Sequence, residues 1–596
     1  MSPIDHNGYR PPSTLTQLWR WLVESMWRIE HAFERNKAEG RAVDDARLRI
    51  FLVLTLFGLG FIALGAEASK RALFSHLGGS GIEAAAPPEA RADLVDRNGQ
   101  LLATDVTQYS VYLDPRDISP GHEQETRDEL ADALPRLSAD RLDKAMKGGR
   151  RAFLIGDLNR QERDLVHDLG RPGVEFQEVP KRIYPLGPTA AHLIGFSDTG
   201  GHGLAGAERA LDAPIRGAAA GGGAVALSID LRVQAALDSE LAKAAAKFQT
   251  VGAMGMVVDV HTGEILAMSS LPNFDPNDPG RSPMANQINQ VAQSRFELGS
   301  VFKAFTLAAA LDSGIVTTNT MFDVHAPLQL GDGRPVHDFD KGDTTLALWQ
   351  VFTHSSNIGA AKISLMAGPE RMSKYFKSFG LFATAPSELA ESTRPLLPKK
   401  LGDVTLAQIA FGQGIAVSPL ALATGYTAVM NGGLYIPLTI KKQPDGYQPP
   451  ATRVISEKTS ETMLQLMRMN AHDDPKGSGH KADDLGLRVG GKTGSAQKPE
   501  NGHYGKNNIS SFVAVFPTDG GVAAKRYLVL ITLDSPHVTK DSAGFITAGW
   551  NAAPTAGAVI DRIAPFVGVA RTPAAITAPL PVLAAPIAVP ASEATQ

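Results

Sequence analysis

Seventeen consecutive uncharged residues, Ile50 to Ala66, constrain this chain more than any other feature, and eleven of them are Leu, Ile, Phe or Val. At roughly −0.3 to −0.6 kcal/mol each near the centre of a membrane helix, these side chains favour insertion by about 3 to 7 kcal/mol. A helix of this length spans roughly 26 Å, enough to cross a bilayer core once with Arg49 and Lys70 snorkelling at its ends. A buried core helix would carry a polar face, and this one has none. A cleavable signal peptide is the nearer rival, because Ala66-Glu67-Ala68 imitates a cleavage site, but the run is long and lies behind 49 residues. Arg28, Arg35, Lys37, Arg41, Arg47 and Arg49 precede it, against only Lys70 and Arg71 soon after it. The positive-inside rule therefore makes residues 1–49 a cytoplasmic tail, 50–66 a transmembrane helix, and everything beyond an exported body.

With 596 residues, the chain has room for more than one core. A net charge of −4 offers no field that would gather nucleic acid, so no nucleic-acid partner is expected. The absence of Cys removes disulfides, thiolate nucleophiles and cysteine-ligated metals. His-Glu-x-x-His and Gly-x-Ser-x-Gly are both missing, which argues against a zinc peptidase and an α/β-hydrolase. No metal or cofactor is expected.

Residues 67–90, Gly, Ala and Pro-rich from Gly78, read as a linker, and Gly217 to Ala224 as a second spacer. Between them, 91–223 mixes strand-like and charged helical runs without a catalytic cluster. Residues 224–567 have mixed α/β character. Strands are predicted over Met254–Val260 and Glu264–Ser269, joined by a turn at His261-Thr262-Gly263, and over Leu487–Gln497, Ser510–Phe516 and Tyr527–Leu533. Strands that follow one another without helices imply an antiparallel five-stranded sheet. Helical patterns cover Val301–Leu311 and Leu401–Ala410. The last stretch, 568–596, is dominated by Ala and Pro and is expected to be a disordered tail.

Ser300-Val-Phe-Lys303 opens one of those helical runs, and three-residue spacing sets the amine beside the hydroxyl. A lysine kept partly neutral by desolvation and by other cations can take a serine proton. The spacing alone is weak, since it recurs at Ser478/Lys481, in a polar loop, and at Ser495/Lys498, on a predicted strand where alternation separates the pair. Two further motifs follow in order: Ser355-Ser356-Asn357, and Lys492-Thr493-Gly494-Ser495 inside a strand pattern. The ordered set resembles the Ser-x-x-Lys, Ser-Asp-Asn and Lys-Thr-Gly motifs of penicillin-binding proteins and class A β-lactamases, with Ser-Ser-Asn in the middle place.

The resemblance extends upstream. Arg91-Ala-Asp-Leu-Val-Asp96-Arg97-Asn98-Gly99, Arg182-Ile-Tyr184-Pro185-Leu-Gly187 and Gly203-Leu-Ala-Gly206-Ala-Glu208 resemble the three N-terminal motifs of class B penicillin-binding proteins, with Ala92 in place of the usual Gly. The chain is similar to that family from about residue 45 to 566. The Phe411-Gly-Gln-Gly414-Ile-Ala-Val-Ser418-Pro419 run resembles the division-specific FtsI type more than the rod-elongation type. Gly201-His-Gly203-Leu-Ala-Gly206 also fits a dinucleotide fingerprint after a strand-like His192–Phe196, but the helix behind it is too short for a βαβ crossover.

The resemblance implies a transpeptidase fold of α/β (α+β) class, its antiparallel sheet flanked by helices, preceded by one membrane helix and an elongated mixed α/β pedestal of the dimerisation type. It implies Ser300 as nucleophile, Lys303 as its proton acceptor, Ser355 as a proton relay, Asn357 holding a substrate amide, and Lys492 keeping the pocket positive. It further implies that Thr493 and Ser495 bind a terminal carboxylate and that Gly494 lets substrate lie against the strand edge. The backbone N–H groups of Ser300 and Ser495 would form an oxyanion hole, where one donor is worth about 3 to 4 kcal/mol. Implied partners are peptidoglycan stem peptides, the lipid-linked precursor, β-lactams as covalent inhibitors, a multispanning septal glycosyltransferase of FtsW type and other divisome proteins, at the septal inner membrane with the catalytic domain periplasmic. A β-lactam hydrolase is disfavoured because no Glu-x-x-x-Asn element follows about 36 residues after Asn357. A β-lactam sensor and a rod-elongation enzyme stay open as alternatives.

Overall fold

The computed structural model describes residues 90–572 apart from 332–334, 341, 485 and 501–502, together with isolated positions between 27 and 64. The linker 67–90 and the segment 573–596 lie outside the described residues, Ala90 excepted. Most of the 50–66 segment does too. Within it Val53, Leu54, Phe57, Phe61 and Leu64 are helical and more than half exposed, an apolar surface without protein cover. Among the described residues no helix is long and apolar enough to cross a membrane.

The body from residue 90 begins with a five-stranded sheet: β1 (Asp93–Val95), β2 (Leu101–Leu113), β3 (Ala152–Leu158), β4 (Val174–Ile183) and β5 (Ala224–Ala226). The long β2 pairs antiparallel with β1, β3 and β4, while β1 runs parallel to β5. Val111, Leu113, Leu130, Leu154 and Val166 form a small separate core here. All three upstream motifs converge on one buried carboxylate. Arg91 donates through Nε at 2.8 Å and Nη2 at 2.5 Å to Glu208, and Arg182 donates through Nε at 2.7 Å. The Tyr184 hydroxyl reaches the same carboxylate at 3.4 Å. Glu208 is fully buried, so two guanidinium partners are what make its charge tolerable.

The dinucleotide fingerprint dissolves at this point. His192–Phe196 contains a short helix (Ala191–Ile194) rather than a strand, and Cβ on Gly203 would lie 1.9 Å from the Glu208 carbonyl oxygen. These glycines serve close backbone packing around Glu208. The second spacer also differs from expectation. Asp212–Ala219 is helical, held by buried Ile215 and by alanine's high helix propensity, and Ala224 already belongs to β5.

The second sheet has the order β8-β9-β10-β6-β7, all antiparallel: β6 (Gly252–Asp259), β7 (Ile265–Leu271), β8 (Gly490–Glu500), β9 (His503–Phe516) and β10 (Tyr527–Asp534). Outside the exposed hairpin end of β8 and β9 its strands are buried on both faces, and the period-2 alternation assigns each face its own core. Val257, Phe512, Ala514, Val529 and Ile531 pack with α1 (Leu231–Phe248) and α6 (Ala552–Ile563). Met256, Val258, Val513, Leu528 and Leu530 belong to the larger core on the other side, with α2 (Lys303–Asp312), α3 (Asn357–Ala367), α4 (Pro419–Met430) and α5 (Glu457–Arg468). Apolar almost all round, α2 is the central buried helix. The other predicted helix spans Asp403–Ile409.

The C-terminal boundary is later than expected. Val567 and Val569 are buried with α6, Arg571 pairs with Asp484 at 2.8 Å, and the Thr572 N–H donates to the Gly486 carbonyl at 2.9 Å. Residues 568–572 are thus docked, because two apolar side chains and an ion pair offset their ordering entropy.

Candidate active site

The Ser300 turn is a 3-10 turn, Gly299–Phe302, that runs straight into α2, so Lys303 rather than Ser300 is the first α-helical residue. Gly299 adopts φ +62°, and a Cβ there would lie 3.0 Å from the Ser495 carbonyl oxygen. The turn therefore presses directly on β8, the edge strand of the sheet. Since N–H and C=O of one strand residue point the same way, the Ser495 N–H also faces the Ser300 turn. Gly494 closes the same contact: its Cβ would meet the Leu298 carbonyl oxygen at 2.3 Å. Close approach of the serine turn by itself forbids a side chain at 494.

Lys303 is fully buried, and its ammonium nitrogen has four acceptors around it. Nζ lies 2.9 Å from Ser300 Oγ, 2.8 Å from Asn357 Oδ1 and 3.2 Å from Ser355 Oγ, and it also donates to the Ser355 carbonyl. Burial pushes the Lys303 amine well below its ordinary value, and the charge of Lys492 pushes it the same way, with Asp338 opposing. When Lys303 is neutral the Ser300 hydroxyl can donate to it across that 2.9 Å contact.

Ser355 holds φ +61°, a left-handed conformation that β-carbon-bearing residues rarely adopt and that costs on the order of 1 kcal/mol. The conformation turns its carbonyl toward Lys303 while its hydroxyl lies between the two lysines, 3.0 Å from Lys492 Nζ. Lys492, also fully buried, is lowered to about 7 by desolvation. Asn357 opens α3 behind the Ser356 cap. Asp338 fixes this turn by accepting from Ser356 Oγ at 2.6 Å, Asn357 N at 2.5 Å and Ile358 N at 2.9 Å. The His337 carbonyl accepts from Asn357 Nδ2 at 3.0 Å, which orients Asn357 Oδ1 toward Lys303.

Thr493 Oγ1 lies 2.5 Å from Ser478 Oγ, and Ser495 Oγ accepts from the Ala548 N–H at 3.0 Å. The cleft over these groups has a volume of about 520 Å³ and is walled by Phe339, Gln413, His480 and Trp550 among others. All eight residues singled out in the sequence, Ser300, Lys303, Ser355, Asn357, Lys492, Thr493, Gly494 and Ser495, meet around it or directly beneath it.

Residues 253–550 match the family described as penicillin binding protein transpeptidase domain, and 86–200 match the penicillin-binding protein dimerisation domain. A Caulobacter vibrioides protein named probable peptidoglycan D,D-transpeptidase FtsI is 51% identical over 571 residues, covering 95% of this chain and 96% of that protein. The chain belongs to the FtsI-type class B penicillin-binding proteins. Peptidoglycan D,D-transpeptidase FtsI of Escherichia coli is 29% identical over 80% of this chain and 83% of its own. Penicillin binding protein 3 of Mycobacterium tuberculosis, solved with aztreonam, superposes with a TM-score of 0.63 at 26% identity, covering 82% of this chain and 98% of that one.

Reading the sequence of this penicillin-binding protein missed four contributors. Asp338 and His337 stand 18 and 20 positions before the Ser356 and Asn357 they bind, with no motif to mark them. Ser478 belongs to a Ser-x-x-Lys copy dismissed as a surface loop. Its hydroxyl faces Thr493, while Lys481 turns away to sit 4.2 Å from the Trp550 ring centroid. His354, next to Ser355, is clamped between Asp343 at 2.8 Å and Asp474 at 3.2 Å. The Ser495/Lys498 pair diverges as alternation requires, and Lys498 pairs with Asp534 at 2.7 Å.

Proposed function

We propose that this chain is a peptidoglycan D,D-transpeptidase of septal wall synthesis that works through an acyl-enzyme on Ser300. The observation that carries this reading is the buried Lys303 amine, whose Nζ lies within 3.2 Å of Ser300 Oγ, Ser355 Oγ and Asn357 Oδ1. Ser300 gives its proton to neutral Lys303 as Oγ bonds to the penultimate D-Ala carbonyl carbon of a stem pentapeptide. The developing oxyanion accepts from the Ser300 and Ser495 N–H groups, the form of stabilisation that gives the largest single gain in acyl transfer. As the C–N bond breaks, Ser355, which bridges Lys303 and Lys492, passes the proton to the departing D-Ala amine. An amine from a neighbouring stem then attacks the ester, the C–Oγ bond breaks, and Ser300 recovers its proton as the cross-link forms. Lys492, Thr493 and Ser478 make a hydroxyl-lined end for the substrate's terminal carboxylate, whose charge would favour the protonated form of the Lys492 amine.

In this reading residues 50–66 anchor the protein in the inner membrane, 91–223 form the non-catalytic pedestal and 224–567 the periplasmic transpeptidase. Glycan polymerisation falls to a multispanning FtsW-type partner within the divisome. β-Lactams acylate Ser300 because they present a strained amide to the same groups. Mass spectrometry of the full chain after benzylpenicillin treatment tests the chemistry: a stable adduct on the Ser300 peptide is expected, and none in Ser300→Ala. Rapid drug turnover without an adduct, or full complementation of a depleted cell by Ser300→Ala, would defeat it.

A further inference from the structure

His354 stands directly before Ser355, at the end of the helix Leu348–Thr353, and the reaction proposed above does not use it. Its side chain is only 8% exposed, and each ring nitrogen faces a carboxylate: Nδ1 lies 2.8 Å from Asp343 and Nε2 3.2 Å from Asp474. Neither carboxylate belongs to that helix. Asp343 lies on the same segment as Asp338, which fixes Ser356 and Asn357, and Asp474 opens the loop that carries Ser478 to Thr493. Lys476 Nζ donates to Asp343 at 2.8 Å, while Asp474 accepts from Thr353 Oγ1 at 2.5 Å and from the Lys476 N–H at 3.0 Å. One imidazole thus joins three segments of chain at the wall of the catalytic cleft.

The residue next to this clamp is the strained one. Ser355 keeps φ +61°, and a residue in that region persists only where its surroundings over-determine it. On its C-terminal side Asp338 supplies the constraint, through Ser356 Oγ, Asn357 N and Ile358 N. On its N-terminal side the backbone offers less, since the Ser355 N–H reaches the Phe352 carbonyl only at 3.3 Å. Side chains take over there: His354 is tied to Asp343 and Asp474, and Thr353 to Asp474. In the conformation so held, Ser355 Oγ lies 3.2 Å from Lys303 Nζ and 3.0 Å from Lys492 Nζ.

We infer that His354 is a positioning residue for the proton relay, pinned at both ring nitrogens so that Ser355 Oγ stays between the two lysines. The role has a chemical signature that a general loosening of the fold lacks. A leaving amine must gain a proton as its C–N bond breaks, whereas a thiolate leaves without one. Loss of the clamp therefore slows the opening of an amide more than that of a thioester, although both place an acyl group on Ser300.

The inference rests on the transpeptidase reading, and the experiment separates the two. Detergent-solubilised full chain is acylated by benzylpenicillin, in which Ser300 Oγ bonds to carbon, the ring C–N bond breaks and the nitrogen takes up the proton. In parallel it is given an N-acyl-D-alanyl thioester, in which the C–S bond breaks and sulfur departs as thiolate. His354→Ala is expected to slow penicillin acylation about a hundredfold, the low end of what a positioned proton donor contributes, and kcat/KM for thiol release less than about tenfold. Asp343→Ala removes one end of the clamp from its more exposed side and should split the two rates in the same direction, so the inference is tested even where His354→Ala fails to fold. Rates that fall equally for both reagents, or do not fall, would overturn the positioning role and leave the transpeptidase standing. A native chain that forms no benzylpenicillin adduct would instead defeat the transpeptidase reading itself.

Discussion

Replacing Gly494 by Ala tests how tightly the serine turn and the strand edge are coupled. The added Cβ would lie 2.3 Å from the Leu298 carbonyl oxygen, 3.0 Å from Val301 Cγ1 and 3.2 Å from Val301 N. The first contact is about 1 Å short of van der Waals separation, and its partner is backbone that no side-chain rotation can move. Either β8 or the Leu298–Val301 turn must give way by about that distance, and Ser300 rides on the turn. A displacement of about 1 Å at a reacting group costs on the order of 10²-fold in rate, so acylation by a fluorescent penicillin should slow about a hundredfold. Overpacking of this kind costs about 1 to 3 kcal/mol of stability, so the variant should still fold, with a lowered Tm. Stopped-flow acylation and thermal unfolding on the same sample separate the two effects. A Gly494→Ala chain that acylates within about threefold of the native rate would refute the account of the contact.

On the proposed mechanism acylation needs neutral Lys303, so its rate should fall as pH drops through the Lys303 titration. Lys492→Ala removes a positive charge that pushes Lys303 down, so the acid limb of the pH–rate profile should move to higher pH, read from acylation rates between pH 5 and 9. In the N-terminal part, Glu208→Ala removes the counter-charge that Arg91 and Arg182 share, leaving Arg91 with Asp212 and Arg182 with Asp105. A loss of about 3 kcal/mol, the low end for a broken buried pair, is expected in urea unfolding, against an unchanged benzylpenicillin acylation rate for the fraction that stays folded. Truncation after Val567 removes buried Val569 and the Arg571 and Thr572 ties, and should cost about 2 kcal/mol by the same measurement.

Local signals carried far in this chain. Turn residues and apolar runs located all five strands of the second sheet, because strand segments buried on both faces must be apolar and must be punctuated by turns, whereas the exposed polar start of β9, His503–Asn508, carried no such signal. The ordered Ser300, Ser355 and Lys492 motifs singled out side chains that the fold gathers at the cleft, since the acyl transfer proposed for it demands particular side chains whatever surrounds them. What local signals could not reveal is how far apart those motifs sit once folded, and therefore what each position is for. At Gly494 the Leu298 carbonyl leaves no room for a side chain, a contact that no local pattern shows. Asp338 and Ser478 come from loops whose sequence says only that they are polar, and they matter because the fold ends those loops against Ser356 and Thr493. The depressed amine of Lys303 likewise belongs to no residue alone. A lysine beside a serine is ordinary chemistry; total burial next to a second buried lysine changes its proton affinity, and only the packing of the Ser300 turn on β8 and of α2 on α3 creates that burial.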